Sequence, residues 1–143
     1  MEVLAGVTTI VAVVQTTNRI LTLCADYASG VKHAREHIGR LEIKVEALNK
    51  VFTNVYEMSK SGEMELYASQ SVLQGLVGTI MDCKTLLSDL ETQLDPGKGR
   101  KMMNRFGLRA LTWPLKYQEL TKITETLDQH KVMITLALNL DLR

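Results

Sequence analysis

The chain is short of helix breakers, aromatic residues, cysteines and net charge. Proline occurs twice in 143 residues, and Phe, Tyr and Trp together make up 5%. So few prolines leave room for long uninterrupted helices. Of the few aromatic residues, Phe106, Trp113 and Tyr117 lie among basic residues but show no base-stacking pattern for nucleic acid. Two cysteines, Cys24 and Cys83, cannot make a disulfide framework. Both lie in apolar stretches, so they read as buried free thiols suited to a reducing compartment. Seventeen Lys and Arg against sixteen Asp and Glu give a net charge of +1, with no global pull toward nucleic acid or an anionic surface. What is abundant is apolar side chain, 45% of residues, which speaks against disorder. A chain of this length buries roughly 68–70% of its unfolded surface. Residues 1–143 are therefore read as one domain.

The most local absence is charge at the start. Sixteen residues, Val3 to Asn18, carry none. Four readings are open: an export signal, a membrane span, a core helix, or a core helix that also leaves the core. The export signal fits poorly, because Glu2 stands where a positive region belongs. A span needs about 20 apolar residues in a row. Here Thr8 and Thr9, then Gln15, Thr16, Thr17 and Asn18, interrupt the run.

Spacing favours helices throughout, and no segment alternates with period two over a strand's length. Val3, Val7, Ile10, Val14, Thr17, Leu21 and Cys24 step by four and three, and Leu4, Val11, Ile20 and Leu23 widen that face. A helix apolar most of the way round is central in a bundle or faces lipid. Thr9 and Thr16 fall on its less apolar side, where an added charge is expected to spare the fold. Ala34, Ile38, Leu41, Val45, Leu48, Phe52 and Val55 form a second, narrower seam with charges between. Leu66, Leu73, Leu76, Val77, Ile80, Cys83, Leu87, Leu90 and Leu94 form a third, closed by Asp95-Pro96-Gly97. Tyr117, Leu120, Ile123, Leu127, Ile134 and Leu138 form a fourth, with Thr112 as cap and Pro114 in the first turn. The spacing predicts an all-α, elongated antiparallel bundle with helices near 3–28, 31–59, 63–94 and 114–141, and room for a short extra helix near 100–112. Its expected core holds Leu41, Val45, Leu48, Leu73, Leu76, Ile80, Leu87, Leu120, Ile123 and Leu127.

Catalytic chemistry finds little to stand on. His33-Ala34-Arg35-Glu36-His37 matches the H-x-x-E-H order of some zinc proteases. His130 is the only other histidine, and no acidic third ligand stands out, so the pair reads as polar residues flanking the second seam. No G-x-S-x-G is present, and Gly97-Lys98-Gly99-Arg100-Lys101 lacks the order of a phosphate-binding loop. No catalytic residue, cofactor or metal is expected. Between residues 98 and 122 the chain carries Lys98, Arg100, Lys101, Arg105, Arg109, Lys116 and Lys122 against Glu119 alone, seven minus one, or +6. This is either a solvated loop or a contact for anionic lipid at about 1 kcal/mol per nearby basic residue. Nucleic acid is the weaker alternative. Met102, Met103 and Phe106 suit a membrane interface or the core equally.

The two ends together resemble a known family. "MEVLAGVTTIVAVVQ" at the start, "LRALTWPLKYQELTKITETLDQHK" near the end and "ITLALNLD" after it resemble the HeLo-like N-terminal domain of fungal STAND proteins, the NOD-like receptors of fungi. The most specific stretch is Leu111-Thr112-Trp113-Pro114 leading into the last helix. The resemblance implies a helical bundle similar in role to that of the mixed-lineage kinase domain-like protein and to the N-terminal domains of some plant immune receptors. It implies a cell-death effector that, once clustered, permeabilises membranes through its first helix. Val3, Leu4, Val7, Ile10, Val11 and Val14 would then enter lipid, with the threonines and Gln15 lining a pore or facing a neighbouring subunit. The stretch offers no G-x-x-x-G for tight packing in lipid. Lys98, Arg100, Lys101, Arg105 and Arg109 would contact anionic lipid. Self-association would come from a downstream oligomerisation or amyloid module, with the chain as the N-terminal part of a longer protein. The location implied is cytoplasmic, moving to the plasma membrane on activation. The alternative is a non-lytic interaction or autoinhibitory module of a signalling receptor.

Overall fold

Four heptad-like stripes need partners to cover them, and in the computed structural model they cover one another. The structure describes residues 2–30, 35–61, 70–95 and 113–138, with side chains over 8–28, 35–60, 74–95 and 113–137. These form α1 (Glu2–Gly30), α2 (Arg35–Ser61), α3 (Gln70–Leu94) and α4 (Tyr117–Leu138). Among the described residues there is no strand, and the chain is an all-α bundle. One continuous core draws on all four helices.

The second seam folds as its spacing dictates. Ile38, Leu41, Val45, Leu48, Phe52 and Val55 are all buried, while Arg35, Arg40, Glu46 and Lys50 stay exposed. On α3 the buried set is Leu76, Ile80, Cys83, Leu87, Leu90 and Leu94, at spacings of four and three. The helix stops at Leu94. Asp95 N–H donates to Glu91 C=O at 2.8 Å, and the next residue in sequence, Pro96, has no N–H to continue the ladder. Of the expected core, Leu41, Val45, Leu48, Leu76, Ile80, Leu87, Leu120 and Leu127 are buried, and Ile123 packs half-buried against them. The Leu73 side chain, Leu66 and the expected helix near 100–112 lie outside what is described.

Two stripes differ from expectation. On α1 the centre of the buried face is Ile10, Val13, Thr17, Ile20, Cys24 and Tyr27, and Val14 and Leu21 sit half-buried at its flank. The strip is rotated because α1 packs against two neighbours, α2 and α3, and needs a face wide enough for both. On α4 the helix begins at Tyr117 rather than at 114. Trp113 to Lys116 run as irregular chain, and this lets Leu115 enter the core. Tyr117 is consequently 58% exposed, and Thr124 occupies the buried face beside half-buried Ile123.

Cross-helix contacts fix the directions. Thr17 and Asn18 meet Asn49, and both partners lie about equally far from the short α1–α2 connection, so these two helices form an antiparallel hairpin. Arg19 meets Glu91 and Tyr27 meets Leu94, so α1 and α3 run parallel. His37 meets Tyr117 and Lys44 meets Asp128, so α2 and α4 run parallel as well. Consecutive helices therefore alternate in direction, as expected. The main packing pairs, α1–α2, α1–α3, α2–α4 and α3–α4, close a ring in which α2 and α3 face each other across the diagonal. The C-terminal ends of α1 and α3 and the N-terminal ends of α2 and α4 share one end of the bundle.

Candidate functional site: the first helix in its cradle

The candidate site is α1 and the surface that holds it. Ile10 is buried, and Val11 and Val14 are half-buried. Val3, Leu4 and Val7 lie on the same helix, with side chains outside the described set. The side of α1 that carries Thr8, Gln15, Asn18 and Thr22 is exposed. Thr16 is not part of that side: at 4% exposure it is in the core, which corrects the expectation that a charge there spares the fold. Its hydroxyl donates to Ala12 C=O at 2.8 Å, and that of Thr17 donates to Val14 C=O at 2.7 Å. A threonine on a helix satisfies itself this way, so both can be buried without a partner helix supplying an acceptor. Thr124 and Thr135 on α4 do the same, with Thr121 C=O and Lys131 C=O.

Polar contacts tie the second half of α1 to its neighbours. Asn49 Nδ2 donates to Thr17 Oγ1 at 2.6 Å and to Asn18 Oδ1 at 3.3 Å. Arg19 Nε lies 2.7 Å from Glu91 Oε1. Tyr27 donates its hydroxyl to Leu94 C=O at 2.6 Å, supplying a partner to a carbonyl at the end of α3. The Tyr27 ring also meets Trp113 edge-on, with centroids 5.2 Å apart. Burial pushes the Tyr27 hydroxyl above its usual range, with the charge of Asp95 and then Cys24 adding to it. One residue of α1 thus joins α3 and the entry to α4. Sequence reasoning passes over Asn49, because an asparagine beside a leucine seam gives no signal of its partner.

Both thiols are buried. Desolvation, with Glu42 a second cause for Cys24 and Asp82 for Cys83, pushes each up to about 12. A thiol held so far above neutral pH is a poor nucleophile. His37 sits half-buried with its ring 5.7 Å from Tyr117, and Arg40 lies 5.6 Å over the same ring. His33 lies outside the described residues, and among those described no group of three candidate ligands could hold a metal. Lys98, Arg100, Lys101, Arg105 and Arg109 also lie outside them. The flanks of that segment, Leu94 and Trp113, both reach Tyr27. Leu94 and Trp113 lie at the end of the bundle opposite the N-terminus of α1.

A second surface went unread in the sequence. Val132, Met133 and Leu136 are exposed on α4, Leu136 at 75%. The signal was the nearly continuous apolar run 132–138, more apolar than one buried seam requires. Among the described residues no helix is long and apolar enough to cross a membrane. No family model, no curated protein and no solved structure matches the chain.

Proposed function

We propose that this domain is a non-enzymatic, membrane-acting effector of the HeLo-like kind, in which the closed bundle is the resting form and α1 the stored active element. The observation that carries the reading is the seating of an uncharged helix segment, Val3–Asn18, with Ile10 and Val13 buried against the bundle. Exposing such side chains to water forfeits roughly 1.5–3 kcal/mol each, so a lone molecule keeps α1 in. Clustering by a downstream module offsets that cost, because many copies then insert side by side at high local concentration. Anionic lipid is the partner, with the basic run 98–109 as its contact. The resting location is the cytoplasm, and the active one the plasma membrane.

The test is a lock. Thr9 Oγ1 lies 3.8 Å from Met81 Sδ, so Thr9→Cys with Met81→Cys places two thiols across the α1–α3 contact, where a short reducible thiol-to-thiol cross-linker can join them. Fused to an inducible oligomerisation tag, the cross-linked pair is expected to leave vesicles of phosphatidylcholine and phosphatidylserine intact, and the same pair after reduction of the linker to release their contents. Equal leakage from both forms refutes the reading. A non-lytic interaction module then takes its place, which the exposed Val132, Met133 and Leu136 would serve.

A further inference from the structure

We infer that α2 and α4 carry the two halves of a self-association surface, on which the outer stripe of α4 in one copy packs antiparallel against the outer stripe of α2 in another. Lipid plays no part in it, so it stands apart from the membrane-acting reading. Five of the six large apolar side chains exposed among the described residues lie on these two helices. The outer stripes share one spacing. On α2, Ile43, Ala47, Lys50, Asn54 and Glu57 step by four, three, four and three along the side away from the core. Leu136, Val132, Gln129, Glu125 and Lys122 take the same steps back along α4. All are exposed except Ala47, which is half-buried. Laid antiparallel, Leu136 falls opposite Ile43 and Val132 opposite Ala47. Farther along, Lys122 falls opposite Glu57, and Glu125 opposite the Asn54 amide, one turn from Lys50. Opposite charges flanking an apolar seam select partner and orientation. The fold's own pairs, Arg19–Glu91 and Lys44–Asp128, use none of these charges. Laid parallel, with Val132 against Ile43 and Leu136 against Ala47, Glu125 would meet Glu36, and like charges disfavour that arrangement.

The occupant is a second copy, because α2 and α4 run parallel within one chain and the antiparallel match needs two. Each copy offers α4 to one neighbour and α2 to another, so the contact is heterologous and propagates. Joined copies point α1 in opposite directions. This is an association of closed bundles, distinct from copies inserting side by side. From Lys122 to Leu136 the stripe is about 21 Å long and about 10 Å wide, the breadth of one helix. It therefore covers roughly 200 Å² per partner, against about 800 Å² in a stable interface. The free domain stays monomeric, and the contact forms when copies are held at high local concentration.

Cross-linking between two marked copies tests this. The whole chain is fused through flexible linkers to the two halves of an inducible heterodimerising tag, without vesicles. One copy carries Val132→Cys and the other Ala47→Cys, and a short thiol-to-thiol cross-linker is added. Cys24 and Cys83 are buried and do not compete. A control partner carries Glu36→Cys instead, about 16 Å farther along α2 and beyond the linker's reach. The matched copies are expected to link at least about tenfold faster than the control pair. Lys122→Glu in the first copy is expected to slow linking about threefold, and Glu57→Lys in the second to restore it. Equal rates for matched and control partners overturn the inference. So does a charge reversal that has no effect or is not rescued. Val132→Cys copies that link to one another as fast as to Ala47→Cys copies overturn it too, and assign the surface to α4 alone. None of these results bears on vesicle leakage, so the membrane-acting reading stands or falls separately on the Thr9–Met81 lock.

Discussion

At the scale of single residues, burial rather than composition decides what a side chain is worth. Leu48 and Phe52 are wholly enclosed, whereas Ile43, between the seam residues Leu41 and Val45, is 65% exposed. Leu48→Ala is expected to cost roughly 2–5 kcal/mol in urea unfolding, and Ile43→Ala within about 0.5 kcal/mol. Thr16 and Gln15 make a sharper pair, since they are adjacent and both polar. Thr16→Glu buries a charge and is expected to unfold the domain, while Gln15→Glu is expected to leave its thermal midpoint nearly unchanged. The two cysteines add a pH dependence. Each thiol is raised from 9.0 to about 12 in the folded state, so the unfolded chain loses those protons first. Their contribution to stability is full below pH 9 and declines as pH rises toward 12, in line with proton linkage. Unfolding followed from pH 8 to 11 is expected to show this decline in the wild type. The slope is expected to be much flatter in the Cys24→Ala, Cys83→Ala double variant.

At the scale of elements, α3 carries removable slack. Gly75 and Gly78 lie inside the helix on its exposed side, and an added Cβ meets nothing within 4 Å at either. Gly78→Ala is expected to stabilise the domain by about 0.5–1 kcal/mol, seen as a raised thermal midpoint. The helices differ in how plainly the sequence announces them. The seam of α2 is the plainest, because charges fill most of the positions that face water; Ile43 is an apolar exception, and the buried Val51 is an addition to the seam. That of α1 is not plain: a helix apolar on most sides leaves its centre ambiguous, and Val13 looks no more buried in sequence than Val14. The start of α4 misleads because Pro114 suits a first helical turn, whereas contacts made at Trp113 and Leu115 hold that stretch out of the helix. Trp113 Nε1 and His130 Nδ1 are buried without a hydrogen-bond partner among the described residues, which no periodicity could signal.

At the scale of the whole molecule, periodicity marks a buried face, as on α2 and α3, but not which helix covers it. The ring order, with α2 and α3 across the diagonal, follows from pairings such as Arg19–Glu91 that are far apart in sequence. The exposed α4 surface belongs to this scale too, because it is available to another molecule. Leu136→Asp is expected to leave the fold intact, as judged by circular dichroism. It is also expected to abolish any self-association that this surface supports in sedimentation. The parallel pairing of α1 with α3 has a consequence for biosynthesis. Arg19 and Glu91 are 72 residues apart, so one wall of the α1 cradle does not exist when α1 leaves the ribosome. At about 5–20 residues per second, that wall takes roughly 4–14 s to appear. Throughout that interval an uncharged helical segment has only α2 to lean on, and the cell must keep it from the first bilayer or chaperone it meets.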